Sequence, residues 1–302
     1  MTQSRFLPRR GGPVSTKTSD SAVYTIRQLC DDENTLWDTL AGEGNFDELR
    51  RADLDDSNST SYFAAEATGT LGGVLRVTHL PGLDLLRDYH EADARVRAAF
   101  ARHLAQIVAE DLLLHANHDA AALRDEIERT DLMLKGEKVF VEREVAYAAL
   151  PATELTFASL DQVGELAFVD LLYDAAEGDE FEDRDARPRH EQYMELVDGA
   201  GDEWDPQNWF VAMLQNDPVG VVLPQVLPND GRGTMSYLGV VPAFRQRGFG
   251  AVLHGFGLWN LGERGASSYI GSTDVRNVVM RRIFERNDCE VTRRQVFFRQ
   301  PD

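Results

Sequence analysis

The most constraining stretch of this chain is Val240-Val241-Pro242-Ala243-Phe244-Arg245-Gln246-Arg247-Gly248-Phe249-Gly250-Ala251-Val252-Leu253. A strand pattern ends at Pro242, a turn carries Arg-x-x-Gly-x-Gly, and an apolar helix pattern starts at once. Such a turn is an anion cradle. Its glycines allow close approach, consecutive backbone N–H groups converge, and the helix N-terminus adds a partial positive charge. Arg245 and Arg247 can add charge-assisted contacts to a pyrophosphate or a 3′-phosphate.

The surroundings of the turn are regular. TELTFASL (153–160) reads as a strand and DQVGELAFVDLLYDAA as a helix, with an acid-rich segment after it. NWFVAML (208–214), VGVVLPQV (219–226) and GTMSYLGVVP (233–242) read as three strands. GAVLHGFGLWNLGERG is a helix, SSYIGSTDV a strand, NVVMRRIFERND a helix and EVTRRQVFFR a last strand. This order predicts an α/β chain whose mixed sheet carries helices on both faces. The first half runs similarly: a strand at 21–29, a polar helical stretch to about Ala52, two strands within 61–80, an amphipathic helix in ADARVRAAFARHLAQIVAEDLLLHA that runs into a short apolar strand at Leu112–Leu114, a second helix at AALRDEIERTDLML, and a closing strand at 138–150. We therefore place a boundary near residue 150 and expect domains at 21–150 and 151–302, preceded by a disordered arm over 1–20.

LGVVPAFRQRGFGAVL resembles the V-x-P-x-x-[QR]-x-x-G-x-[GA] signature of the GNAT superfamily of acyl-CoA-dependent N-acyltransferases. Asn277-Val278-Val279-Met280-Arg281-Arg282-Ile283-Phe284-Glu285-Arg286-Asn287-Asp288 falls where that family has N-x-x-A-x-x-L-Y-x-K-x-G-F. The resemblance implies acetyl-CoA as co-substrate, no metal, and direct attack of an acceptor amine in a ternary complex. It also implies roles for particular residues. Leu238, Gly239 and Val240 would pair with the pantetheine arm where their strand and 268–275 splay apart. Arg245, Gln246, Arg247, Gly248, Phe249, Gly250 and Ala251 would hold the pyrophosphate, and Asn277 would touch the thioester arm. Backbone N–H groups near Leu238–Val240 would polarise the carbonyl.

The departures from the family pattern bear on catalysis. A Tyr that protonates the departing thiolate is replaced by Phe284, and Ser272 stands at the position of one known base. Tyr237 and Asp274 are the remaining candidates for proton transfer, Asp274 having a structural alternative as a helix cap. His254 and Cys289 read as packed residues. These departures motivate a second reading, a non-catalytic CoA-binding sensor or interaction protein.

The first half resembles the same fold but has HLPGLDLLRDYHEADARVRAAF where the phosphate turn belongs. We read it as a degenerate copy that does not bind CoA, in a tandem layout similar to that of mycothiol synthase. Charge separates along the chain. With 31 basic and 51 acidic side chains the net charge is -20, yet Phe244–Asp302 holds 10 Arg against 6 acids. The stretch 174–205 holds 13 acids against 3 Arg, and Glu180, Glu182 and Asp183 in it are candidates for attracting a cationic small-molecule amine. The acidic total argues against nucleic acid as a partner. No apolar run approaches the ~18 residues of a membrane span. Cys30 and Cys289 suit neither a disulfide framework nor a metal site, so a reducing cytoplasm is expected.

Overall fold

A computed structural model describes residues 23–30, 33–42, 47, 49, 59–91, 93–115, 121–181, 188–228 and 231–301. The arm at 1–20 lies outside the described residues. One order of strands occurs twice, with two more helices after the first strand of the second pass. The first pass is β1 (Thr25–Gln28), α1 (Asn34–Ala41), β2 (Ser59–Ala67), β3 (Thr70–Leu80), β4 (Leu83–Glu91), α2 (Ala94–Ile107), β5 (Asp111–His115), α3 (Ala121–Ile127) and β6 (Met133–Glu144). The second is β7 (Leu155–Ser159), α4 (Leu160–Val163), α5 (Glu165–Ala175), α6 (Arg189–Ala200), β8 (Phe210–Leu214), β9 (Asp217–Val226), β10 (Arg232–Val240), α7 (Phe249–Glu263), β11 (Ser268–Asp274), α8 (Val278–Arg286) and β12 (Glu290–Arg299).

By contact density the chain divides into two compact units, one of residues 1–112, 122–132 and 300–302, the other of 113–121 and 133–299. In the first, β1 to β4 form an antiparallel meander. The sequence pattern missed β4, whose charges belong to cross-strand pairs. Arg76 donates to Asp88 at 2.8 Å, and His79 Nδ1 lies 2.5 Å from the buried Asp84. A strand stabilised by such pairs does not alternate in hydropathy.

The second unit has strand order β12-β6-β11-β10-β9-β8-β7. Strand β6, which the sequence suggests as the closing strand of the first half, pairs antiparallel with β11 over Ser268–Asp274 and with β12 on its other side. Helices cover both faces of this sheet, which is why β9 reads as a nearly continuous apolar run. Val221 and Leu223 join Phe168, Tyr193 and Trp209 beneath α5 and α6, while Val222 packs with Leu253 and Phe256 of α7. Each such large side chain contributes about 1.5–3 kcal/mol on burial. No helix among the described residues is long and apolar enough to cross a membrane.

Candidate active site

Strands β10 and β11 are parallel neighbours only at Arg232↔Ser268 and Gly233↔Tyr269. Beyond Gly233 the edge of β10 that faces β11 has no ladder partner, while its other edge stays paired with β9 through Val240↔Gly220. The pairing with β9 shifts register between Met235 and Tyr237, with Pro224 opposite Met235. Proline offers no N–H to the ladder, so a bulge forms there and the strand turns away from its parallel neighbour.

The opened wedge continues into the glycine turn. Gly248 is the N-cap of α7 at φ 85°, ψ -2°, a left-handed conformation that glycine adopts without strain. No side chain caps the helix, and with Ala251 N donating to Gly248 O at 3.1 Å, the N–H groups of Phe249 and Gly250 stay available to an outside acceptor. A Cβ at Gly250 would stand 2.9 Å from Ile283 Cδ1, so this glycine brings α7 close to α8.

Wedge and turn border one cavity of about 690 Å³. Of the residues singled out in the sequence, Leu238, Gly239, Val240, Arg245, Gln246, Gly248, Phe249, Gly250, Ala251, Asn277, Tyr237 and Glu180 line it. Glu182 and Asp183 lie outside the described residues. Arg247 is not in the lining; its guanidinium stacks 5.1 Å from the centre of the Phe244 ring. Asp274 is also outside the lining, and Arg276 donates to its carboxylate through the backbone N, Nε and Nη2 at 2.8, 2.9 and 2.9 Å. These bonds hold its carboxyl below the ordinary value, so it is a weak base.

Arg245 lines the cavity but serves the framework. It donates to Val240 O at 2.9 Å, Ala175 O at 3.2 Å and Glu177 O at 2.6 Å, tying the end of β10 to the C-terminus of α5. Asn277 Oδ1 accepts from Met280 N at 2.9 Å and caps α8. The Tyr237 hydroxyl lies 3.4 Å from Ala175 O, and a Cβ at Gly239 would come within 2.7 Å of it. It therefore stands over the exposed backbone of β10.

Phe284 is buried with Tyr269 and Cys289, away from the cavity. Burial pushes the Cys289 thiol up to about 12, as expected of a packed cysteine. His254 is fully buried between Tyr269 and Phe284, with ring centroids at 5.2 and 5.5 Å. Burial, helped by the Arg143 charge, brings it down to about 3. Among the described residues no group of three or more His, Cys, Asp or Glu could hold a metal ion.

Sequence reasoning missed Phe181, Arg276 and the cavity face of α8 made by Val279, Arg282, Ile283 and Arg286. The helical spacing from Asn277 carried that last signal, because 279, 282, 283 and 286 share one face. The segment around Phe181 carries no comparable pattern.

No family model and no curated protein matches the sequence. Solved structures do. A GCN5-related N-acetyltransferase from Sphaerobacter thermophilus aligns over 92% of this chain and 96% of its own, at 16% identity and TM-score 0.51. A GNAT-family acetyltransferase from Colwellia psychrerythraea aligns over 92% and 100% at 14% identity and TM-score 0.46. A tandem GNAT protein from the clavulanic acid biosynthesis pathway aligns over 92% and 99% at 12% identity and TM-score 0.47. The fold is that of the GNAT acetyltransferases, and the likeness to the Sphaerobacter protein spans nearly all of both chains.

Proposed function

We propose that this chain is an acyl-CoA-dependent N-acetyltransferase that binds acetyl-CoA in the cavity of the second unit and transfers acetyl to a primary amine. One observation carries the reading: the unpaired edge of β10 and the uncapped N-terminus of α7 border the same cavity. An extended arm can add to the strand edge while a diphosphate lies on the helix N-terminus. Backbone N–H groups of Gln246 to Gly250 would hold the diphosphate, with Arg245 fixing the frame around them.

In this reaction the amine lone pair attacks the thioester carbonyl, a C–N bond forms and the C–S bond breaks. One amine proton leaves, and the thiolate takes up one proton. Backbone N–H groups of Leu238–Val240 would stabilise charge on the carbonyl oxygen. We assign thiolate protonation to Tyr237, which lines the cavity with its hydroxyl over Gly239, and a structural role to Asp274. Glu180, with Asp179 beside it on the lining, would favour a cationic acceptor. The tandem layout resembling mycothiol synthase assigns no acceptor, and a cytoplasmic location accords with the donor.

Thiol release from acetyl-CoA against an amine panel tests this. Turnover with at least one amine is expected, and Tyr237→Phe should lower kcat by ~10–100-fold with acceptor KM little changed. Turnover unaffected by Tyr237→Phe removes that assignment. The burial of Phe284, where the family carries an acid, favours a second reading as a CoA sensor. CoA binding without turnover on any amine would select it.

A further inference from the structure

We propose that Arg282 and Arg286 form a subsite for a phosphomonoester, so that the chain reads the 3′-phosphate of coenzyme A and discriminates against dephospho-CoA. This rests on the reading of the cavity as a CoA site. Three observations on α8 support it.

Arg282 and Arg286 are both exposed, both line the cavity, and stand one helical turn apart. At that spacing their stems rise side by side, with Cβ atoms ~5–6 Å apart, and two guanidinium groups can converge on one phosphate. Second, among the described residues they are the cations of the lining that no carbonyl or carboxylate engages. Arg245 is bound to three carbonyls, Arg276 to Asp274, and the neighbouring Arg281 to Val275 O. Among the described residues no carboxylate is bonded to Arg282 or Arg286, in a chain with 51 acids against 31 bases. The acids sharing the lining, Asp179 and Glu180, belong to the segment after α5, and Glu285 of α8 is outside the lining.

Third, the pair flanks the phosphate turn. Ile283, adjacent to Arg282 and three residues before Arg286, is the side chain that a Cβ on Gly250 would meet at 2.9 Å. A second anion site thus adjoins the first, which suits a ligand carrying a diphosphate and a phosphomonoester together. The dipole of α8 accounts for a cation in its last turn, where Arg286 sits, but not for Arg282 one turn earlier.

Calorimetric titration of the full chain with CoA and with dephospho-CoA, at fixed ionic strength, tests the subsite. The protein is expected to bind CoA at least ~10-fold more tightly than dephospho-CoA. In the double variant R282Q/R286Q that ratio should fall to about one, with dephospho-CoA affinity within ~2-fold of the parent. R282K/R286K should keep an intermediate ratio, because lysine supplies charge without the planar fork. Equal affinity of the parent for the two ligands overturns the inference while leaving the CoA site standing. So does equal loss of both ligands in R282Q/R286Q with an unchanged thermal transition. Failure of either ligand to bind the parent overturns the reading beneath it instead.

Discussion

Helices α7 and α2 occupy the same place in the repeated element order, and they begin in opposite ways. Eight residues, 241–248, separate β10 from α7, and they end in a left-handed glycine with no side-chain cap. Only two residues, 92–93, separate β4 from α2, and the second is Asp93, whose Oδ1 accepts from Arg95 N at 2.8 Å and Val96 N at 3.3 Å. One helix leaves its N-terminal amides open, while the other supplies an anion from its own chain. The residues around Asp93 complete that local neutralisation, with Arg95 on its Oδ2 at 2.9 Å and Arg97 paired with Glu91. On the proposed reading, a helix N-terminus becomes a ligand site or a structural cap according to whether the preceding turn ends in glycine or in a carboxylate.

The largest expected effect comes from giving the open helix a side chain. Gly248→Val forces a branched residue into the left-handed region, which costs roughly 1–2 kcal/mol, although no atom lies within 4 Å of its Cβ position. The turn would relax away from the cradle geometry. CoA affinity measured by calorimetry should fall about 100-fold or more, while the thermal transition drops by only a few degrees. Unchanged affinity would place the anion elsewhere.

The contrast between the two helix starts was legible in the sequence because it is local. Arg-x-x-Gly-x-Gly and the acids before Ala94 lie within a few residues of the helices they begin. The roles of individual side chains in the site were less legible. Arg245 was expected on the phosphate, yet two of its bonds go to carbonyls 68 and 70 residues earlier. No local pattern announces partners at that separation. Strand β6 is the same case at larger scale, since its pairing with β11 and β12 spans more than a hundred residues of sequence. Asp274, for which the sequence left both a catalytic and a structural role open, is a subtler case. Strand alternation puts it on the face of Ser272, but Arg276 two residues later turns the carboxylate into a local ion pair.

The corresponding helices also bury histidines to different depths. His254 of α7 is fully buried, and neither ring nitrogen has a partner among the described residues. His103 of α2 is only partly buried, and burial lowers its pKa as well. With its folded value near 3, His254 stays neutral while the unfolded chain takes up a proton below about 6.5. The unfolded state then binds more protons, so stability is lost as pH falls from about 6.5 toward 3, by up to ~1.4 kcal/mol per pH unit. His254→Leu should flatten that part of the stability profile in urea melts between pH 7 and 4.5. It should also cost little at pH 7, because it removes two unpartnered polar atoms from an apolar site. A profile as steep as the parent's would assign the acid sensitivity to other groups.

The smallest effect is expected on the capped side. Asp93→Ala removes the carboxylate that bonds the first amides of α2, and should lower stability by ~1 kcal/mol without altering CoA affinity. The sign with pH follows from its depressed folded pKa, whose first cause is the bond from Arg95. The contribution of Asp93 is present above the unfolded carboxylate value and is lost as pH falls through the folded one. The difference between variant and parent should therefore shrink progressively as the pH falls below about 4. CoA stoichiometry separates two accounts of the first unit. If it stays at one per chain, the short 92–93 connection forecloses a second site whatever residue caps the helix. If it rises to two, a single carboxylate is all that distinguishes the two helix starts, and the argument from the length of the connection fails.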